Sequence, residues 1–210
     1  MRAFIAITLP DEIHRELARQ QAAFRAVCPD ARWTHAEGIH LTLKFLGEIS
    51  DPQVKQVTAA LAPLANFQYF RVEVKGFGFF PDARRPRVFW AGVAAPPDLA
   101  RLAAGVEDAM ASLGFAREQR AYNPHLTLAR FNTPRPQPRL QEAIAPQSGL
   151  SLGQFEVAEF FLYESRLSPR GAEYRKVARF SGDPPVSNFP FPISNFKLPG
   201  SLLRFCRRVW

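Results

Sequence analysis

Two histidines stand in the same word: His40-Leu41-Thr42-Leu43 and His125-Leu126-Thr127-Leu128, 85 residues apart. On a strand, side chains alternate faces. His40, Thr42 and Lys44 therefore share one face while Leu41, Leu43 and Phe45 share the other, and His125 goes with Thr127. Imidazole titrates near pH 6.5, so of two such rings one can accept a proton while the other delivers one. Each role is worth roughly 10²–10⁴ in rate. Threonine hydroxyls with an arginine suit the non-bridging oxygens of a phosphate as charge builds on them. Opening a cyclic phosphodiester needs this apparatus and no redox group. Metal ligation fits poorly. Zinc sites draw three or four ligands from His, Cys, Asp or Glu, whereas only threonines accompany each histidine, and Cys28 and Cys206 lie outside both words. Arg130 falls by strict alternation on the leucine face. It reaches the histidine only if the strand ends or bulges at Ala129, or if the side chain reaches round.

The elements that must position these residues repeat as well. The 85-residue offset pairs Phe4 with Phe89, Ala6 with Ala91, Leu17 with Leu102, Ala18 with Ala103, Phe70 with Phe155, Arg85 with Arg170 and Phe89 with Tyr174. Residues rich in Val, Ile, Phe and Tyr predict strands at 3–9, 39–46, 70–79, 87–94, 124–131, 155–163 and 173–180. Ile13, Leu17, Phe24 and Val27 recur on one side of a helix over 11–27. A second helix starts after Ser50, with Asp51 and Pro52 in its first turn. A third runs from about Pro97 and is stopped by Gly114; a short fourth lies near 138–145. Strands and helices alternate in two similar halves, each too small to bury both faces alone. Two sheets backed by helices, facing one another across a shared groove into which equivalent central strands deliver the two His/Thr pairs, is the economical arrangement.

Composition sets the boundaries. The 210 residues are 47% hydrophobic and 22% charged, as in an ordinary globular protein, and carry a net charge of +8 that favours polyanions. The apolar run Ala3–Leu9 is too short for a secretory leader, and nothing spans a membrane. Two distant cysteines form neither a metal motif nor a disulfide framework, which fits a reducing cytoplasm. Past Ser181 the composition changes. Val186–Phe196 interleaves prolines with Ser-Asn-Phe repeats, and Leu202–Trp210 is basic and apolar. This stretch reads as an extension packed on its own domain or poorly ordered, with a docking tail as the alternative.

The words Ile39-His-Leu-Thr-Leu-Lys-Phe-Leu-Gly47 and Pro124-His-Leu-Thr-Leu-Ala-Arg130 resemble the 2H phosphoesterase superfamily, in its RNA 2′,3′-cyclic phosphodiesterase branch, often called 2′-5′ RNA ligase. Supporting stretches are 76–81, 86–93 and 164–174. The likeness covers about residues 1–180 and leaves 181–210 as an extension of unassigned role. It implies a bilobal, pseudo-twofold, duplicated α+β fold: two antiparallel sheets flanked by helices around a central groove. It also implies metal-independent hydrolysis of RNA 2′,3′-cyclic ends, tRNA fragments among them, to 2′-phosphomonoesters by a cytoplasmic monomer without cofactor. His40 would be the acid for the departing O3′ and His125 the base for water. Thr42, Thr127 and Arg130 would bind the phosphate. The reverse reaction would be 2′-5′ ligation without ATP. A small cyclic nucleotide as substrate, or a non-catalytic RNA-binding module, is the alternative. For base stacking Trp33, Phe79, Phe80 and Tyr122 are candidates.

Overall fold

The computed structural model describes residues 1–168 and 171–184; the expectations for the rest of the tail, Cys206 included, lie outside the described residues. In chain order the elements are β1 (Arg2–Thr8), α1 (Asp11–Val27), β2 (Arg32–Trp33), β3 (His40–Glu48), α2 (Asp51–Leu61), β4 (Phe70–Phe80), β5 (Val88–Ala94), α3 (Pro97–Ser112), β6 (His125–Arg130), α4 (Pro138–Ile144), β7 (Ser151–Val157), β8 (Glu159–Ser168) and β9 (Gly171–Ser181). Local chemistry sets the ends of the helices. Ser50 and Gln53 form a reciprocal capping box at the start of α2. Gly114, at φ 86°, supplies the left-handed residue that ends α3.

The strands form two sheets, β3-β1-β8-β9 and β2-β6-β5-β4-β7, with every pairing antiparallel. The helices are exchanged between them. α1 follows β1 of the first sheet, yet its Phe24 packs edge-on against Phe77 and Phe89 of the second. α3 follows β5 of the second sheet, yet it packs on α2 and β3. Phe24 is fully buried, a contribution of about 2 kcal/mol. One core runs beneath both sheets as a result, and neither half keeps its cover without the other.

Several details differ from the expectations. The run 155–163 is two strands, because the chain leaves β7 at Val157 and enters β8 in the other sheet at Glu159. The ungapped repeat also fails outside the histidine strands. Thr8, Ala6 and Phe4 lie opposite His40, Thr42 and Phe45; Gly92, Trp90 and Val88 lie opposite His125, Thr127 and Arg130. The structural equivalents of β1 are thus 84 residues on, and the pairs Phe4/Phe89 and Ala6/Ala91 are one place out of register. On a strand that slip exchanges the two faces: Phe4 looks into the groove while Phe89 is core. Phe70 and Phe155 lie on neighbouring strands of one sheet rather than at equivalent places, and Phe89 lies on β5, the counterpart of β1, whereas Tyr174 lies on the edge strand β9. Nor do the histidine strands both lie centrally: β3 is the edge of its sheet, open toward β6 across the groove. Backbone pairing continues past residue 180, since Asp183 exchanges hydrogen bonds with Phe67 and Tyr69.

Candidate active site

The two histidine strands carry the same irregularity. The β1–β3 register shifts at Leu43 and the β5–β6 register shifts at Leu128, so each strand has two successive buried residues, Leu43-Lys44 and Leu128-Ala129. A bulge of this kind turns the next side chain onto the opposite face. Arg130 therefore joins Thr127 on the groove face. The same turn removes Lys44 from the face of His40. Its ammonium lies buried beneath the sheet, 2.7 Å from the Glu107 carboxylate and donating to the Ala116 carbonyl at 2.9 Å. Phe45, which alternation assigns to the core, stands 63% exposed at the groove. Phe45 and Arg130 thus hold equivalent places in the two halves, one presenting an aromatic face and the other a cation. The Leu128 carbonyl, left over by the bulge, accepts from the Thr34 N–H and from the buried Gln21 amide, each at 2.9 Å. Gln21 on α1 thus holds the bulged backbone two residues before Arg130, together with Thr34.

Each imidazole is oriented in the same way. His40 Nδ1 lies 2.9 Å from the Gly38 carbonyl and His125 Nδ1 lies 2.8 Å from the Asn123 carbonyl, two residues before the ring in each case. With Nδ1–H donating to that carbonyl, Nε2 is the atom left for proton transfer. The His40 ring stacks on Phe4 at 4.4 Å and meets the edge of Tyr174 at 5.1 Å; Phe80 lies edge-on to His125 at 4.8 Å. His40, Thr42, Thr127 and Arg130 line one cavity of about 410 Å³, together with Arg2, Phe4, Thr34, Phe45, Ser165 and Tyr174. His125 stands two places before Thr127 on the same face of β6. The Tyr122 hydroxyl ties the approach to β6 to β3 by donating to the Thr42 carbonyl at 3.1 Å.

The electrostatics are those of an anion site. No carboxylate lines the cavity among the described residues, and the Arg130 charge bears on both imidazoles. Burial, reinforced by Arg130 and His14, pushes His40 down to about 4 despite its bond to Gly38. Burial and then Arg130 also lower His125, against its bond to Asn123. Both shifts favour the neutral form of the rings in the empty groove. No three His, Cys, Asp or Glu side chains converge as a cation site among the described residues. No helix among them is long and apolar enough to cross a membrane.

Of the aromatic candidates only Phe80 touches a histidine of the pair. Phe79 packs against Phe89 and Phe131 in the core, and Trp33 lies in a separate shallow cleft with Arg25. Tyr122 is committed to the Thr42 carbonyl. Phe45, Phe4, Arg2, Ser165 and Tyr174 were not found by motif. The two buried neighbours that expose Phe45 come from a bulge that no periodicity in the sequence announces.

The model of the 2′-5′ RNA ligase superfamily matches residues 9–168. A curated relative from Archaeoglobus fulgidus, named RNA 2′,3′-cyclic phosphodiesterase, is 32% identical over 180 residues, covering 86% of this chain and 99% of its own length. One of the same name from Methanothermobacter thermautotrophicus is 29% identical, covering 86% and 98%. Among solved structures, a Thermus thermophilus protein superposes with a TM-score of 0.73 at 30% identity, covering 86% of this chain and 97% of its own. Escherichia coli LigT in complex with 3′-AMP superposes with a TM-score of 0.72 at 27% identity and the same coverage. Two helix-backed antiparallel sheets, a duplicated histidine strand and this extent of identity lead to one assignment: the chain belongs to the 2′-5′ RNA ligase superfamily.

Proposed function

We propose that this chain is an enzyme that hydrolyses RNA 2′,3′-cyclic phosphate ends to 2′-phosphomonoesters. The observation that carries the reading is one cation, Arg130, whose charge bears on both imidazoles and which lines, with His40, Thr42 and Thr127, a cavity that holds hydroxyls and no acid among the described residues. The curated relatives bear the name of this activity, and structures of LigT hold 3′-AMP and phosphate. In the reaction, water attacks phosphorus and the P–O3′ bond breaks. His125 takes the water's proton, and His40 delivers one to O3′ as it leaves. Thr42, Thr127 and Arg130 hold the non-bridging oxygens while charge accumulates on them. Phe45 offers its exposed ring to the terminal base. With a ribose 5′-hydroxyl in place of water, the same groups join RNA through a 2′-5′ linkage. The reading extends to a cytoplasmic monomer acting without metal on cyclic-ended RNA, tRNA fragments included, and to a catalytic unit over residues 1–180 with 181–210 as an appendage.

The direct test is product analysis on a cyclic-ended oligonucleotide in EDTA. A 2′-phosphate is expected; a 3′-phosphate product means that the other ester bond breaks and overturns the assignment of the leaving oxygen. Arg130→Ala is expected to lower kcat by roughly 10²-fold, as for removal of one oxyanion donor. A loss confined to KM would show that Arg130 only holds the ground state.

The pKa shifts set the pH dependence. The kcat/KM profile reports the free protein, in which one ring must be neutral and the other protonated. Both groups are lowered from 6.5, so the bell is expected to peak below pH 6.5. A bound phosphate anion offsets Arg130 and raises both rings, so the kcat profile should lie at higher pH than that of kcat/KM. Coincident profiles centred above pH 7 would contradict this account.

A further inference from the structure

Arg2, Ser165 and Tyr174 form a row across β1, β8 and β9. Arg2 lies opposite Ser165, Ser165 opposite Tyr174, and all three line the cavity that holds His40 and Arg130. Their groups are a guanidinium, a hydroxyl and a phenol, all able to donate to an anion. Arg2, like Arg130, forms no ion pair among the described residues, so the two guanidiniums that line the cavity both lack a carboxylate partner there. The acid opposite Arg2 on β3, Glu48, is 3.7 Å from the Met1 ammonium instead. The positive charges of Arg2 and Arg130 both bear on Tyr174, and all three line the same cavity. Phe4 is two places along β1 from Arg2 on the same face, about 7 Å away, and it is Phe4 on which His40 stacks.

We propose that Arg2, Ser165 and Tyr174 form a second phosphate subsite, which receives the phosphodiester on the 5′ side of the terminal nucleotide. This rests on the proposed function, in which the cyclic phosphate occupies the His40–Arg130 end. The subsite makes the protein a reader of RNA chains rather than of mononucleotides: the terminal cyclic phosphate and the next linkage are held by separate arginines, with Phe45 and Tyr174 beside the nucleoside between them.

Three substrates test it: adenosine 2′,3′-cyclic phosphate, the dinucleotide ApA with the same cyclic end, and that dinucleotide with a neutral methylphosphonate linkage. The charged dinucleotide is expected to exceed both others in kcat/KM by roughly tenfold, the low end for a charge-assisted hydrogen bond. Raising the salt concentration should shrink the margin. In Arg2→Gln the ratio between the charged and neutral dinucleotides should fall to near one, while Arg130→Gln lowers all three rates and leaves the ratio standing. Equal rates for the two dinucleotides in the native protein, or a preference that survives Arg2→Gln, overturn the subsite. If no substrate is opened, it is the proposed function that fails. Calorimetric binding of ApA 2′-phosphate and its methylphosphonate analogue to the native and Arg2→Gln proteins then still decides the subsite: the native protein must prefer the charged linkage and the variant must not.

Discussion

His40→Ala and His125→Ala are each expected to lower turnover of a cyclic-ended oligonucleotide by about 10³–10⁴, at the upper end of what one general acid or base supplies. The fold should survive. Neither ring is part of the hydrophobic core, and the one hydrogen bond each makes is to a nearby backbone carbonyl, Gly38 or Asn123. Circular dichroism and a thermal melt check this alongside the rates. A phosphodiester with a p-nitrophenolate leaving group then separates the two roles, because that oxygen departs without a proton. The variant lacking the acid recovers most of its rate, whereas the one lacking the base does not. If His125→Ala is the variant that recovers, the two roles are exchanged. The pKa order in the empty groove makes this a genuine contest. His40 is the more strongly depressed ring, so before substrate binds His125 takes up a proton more readily than His40 does. Acid duty at His40 needs the phosphate's negative charge to lift it. If neither change lowers the rate by more than tenfold, the paired-histidine mechanism is wrong.

Glu107→Ala is expected to cost about 3 kcal/mol, the cost of breaking a buried pair from one side, and to lower Tm by roughly 10 °C in a chain of this size. The Lys44 side chain is only 6% exposed, and Glu107 on α3 is its counterion at 2.7 Å. Removing the carboxylate leaves a buried ammonium with the Ala116 carbonyl as its remaining acceptor. It also frees the Glu118 N–H, which donates to the same oxygen. Adding Lys44→Met to Glu107→Ala should return most of the loss, since a long apolar side chain in that space needs no counterion. Chemical denaturation of the native protein, the single variant and the double variant measures this directly. A single-mutant cost below 1 kcal/mol would show that water reaches the pair. The interaction is consequential because it fastens an exchanged helix: α3 leaves the second sheet and is pinned to β3, the strand that carries His40.

Much of this was legible in the residues themselves. The hydrophobic periods and caps placed α1, α2 and α3 almost to the residue, because Ser50, Gly114 and the apolar stripes act within one turn of where they stand. The duplicated His-x-Thr words point to paired acid–base chemistry, since period-two alternation alone puts each hydroxyl beside its imidazole. The same rule failed one step later, at Lys44, Phe45 and Arg130, where bulges change which face a side chain takes. A bulge is stabilised by what the spare carbonyl finds. Here that is the Thr34 N–H and the amide of Gln21, the latter 107 residues away in the chain. The 85-residue repeat likewise holds where local words set it and slips by one on β1 and β5, where cross-strand pairing sets the register. Composition and spacing by themselves determined which groups are available and which lie side by side on one strand, for those are properties of neighbours in sequence. Only the tertiary structure decided that the helices exchange sheets, that Arg130 enters the groove while Lys44 leaves it, and that Arg2 lies in line with Ser165 and Tyr174. Each of these outcomes turns on contacts between distant segments, whose energies no short window of residues contains.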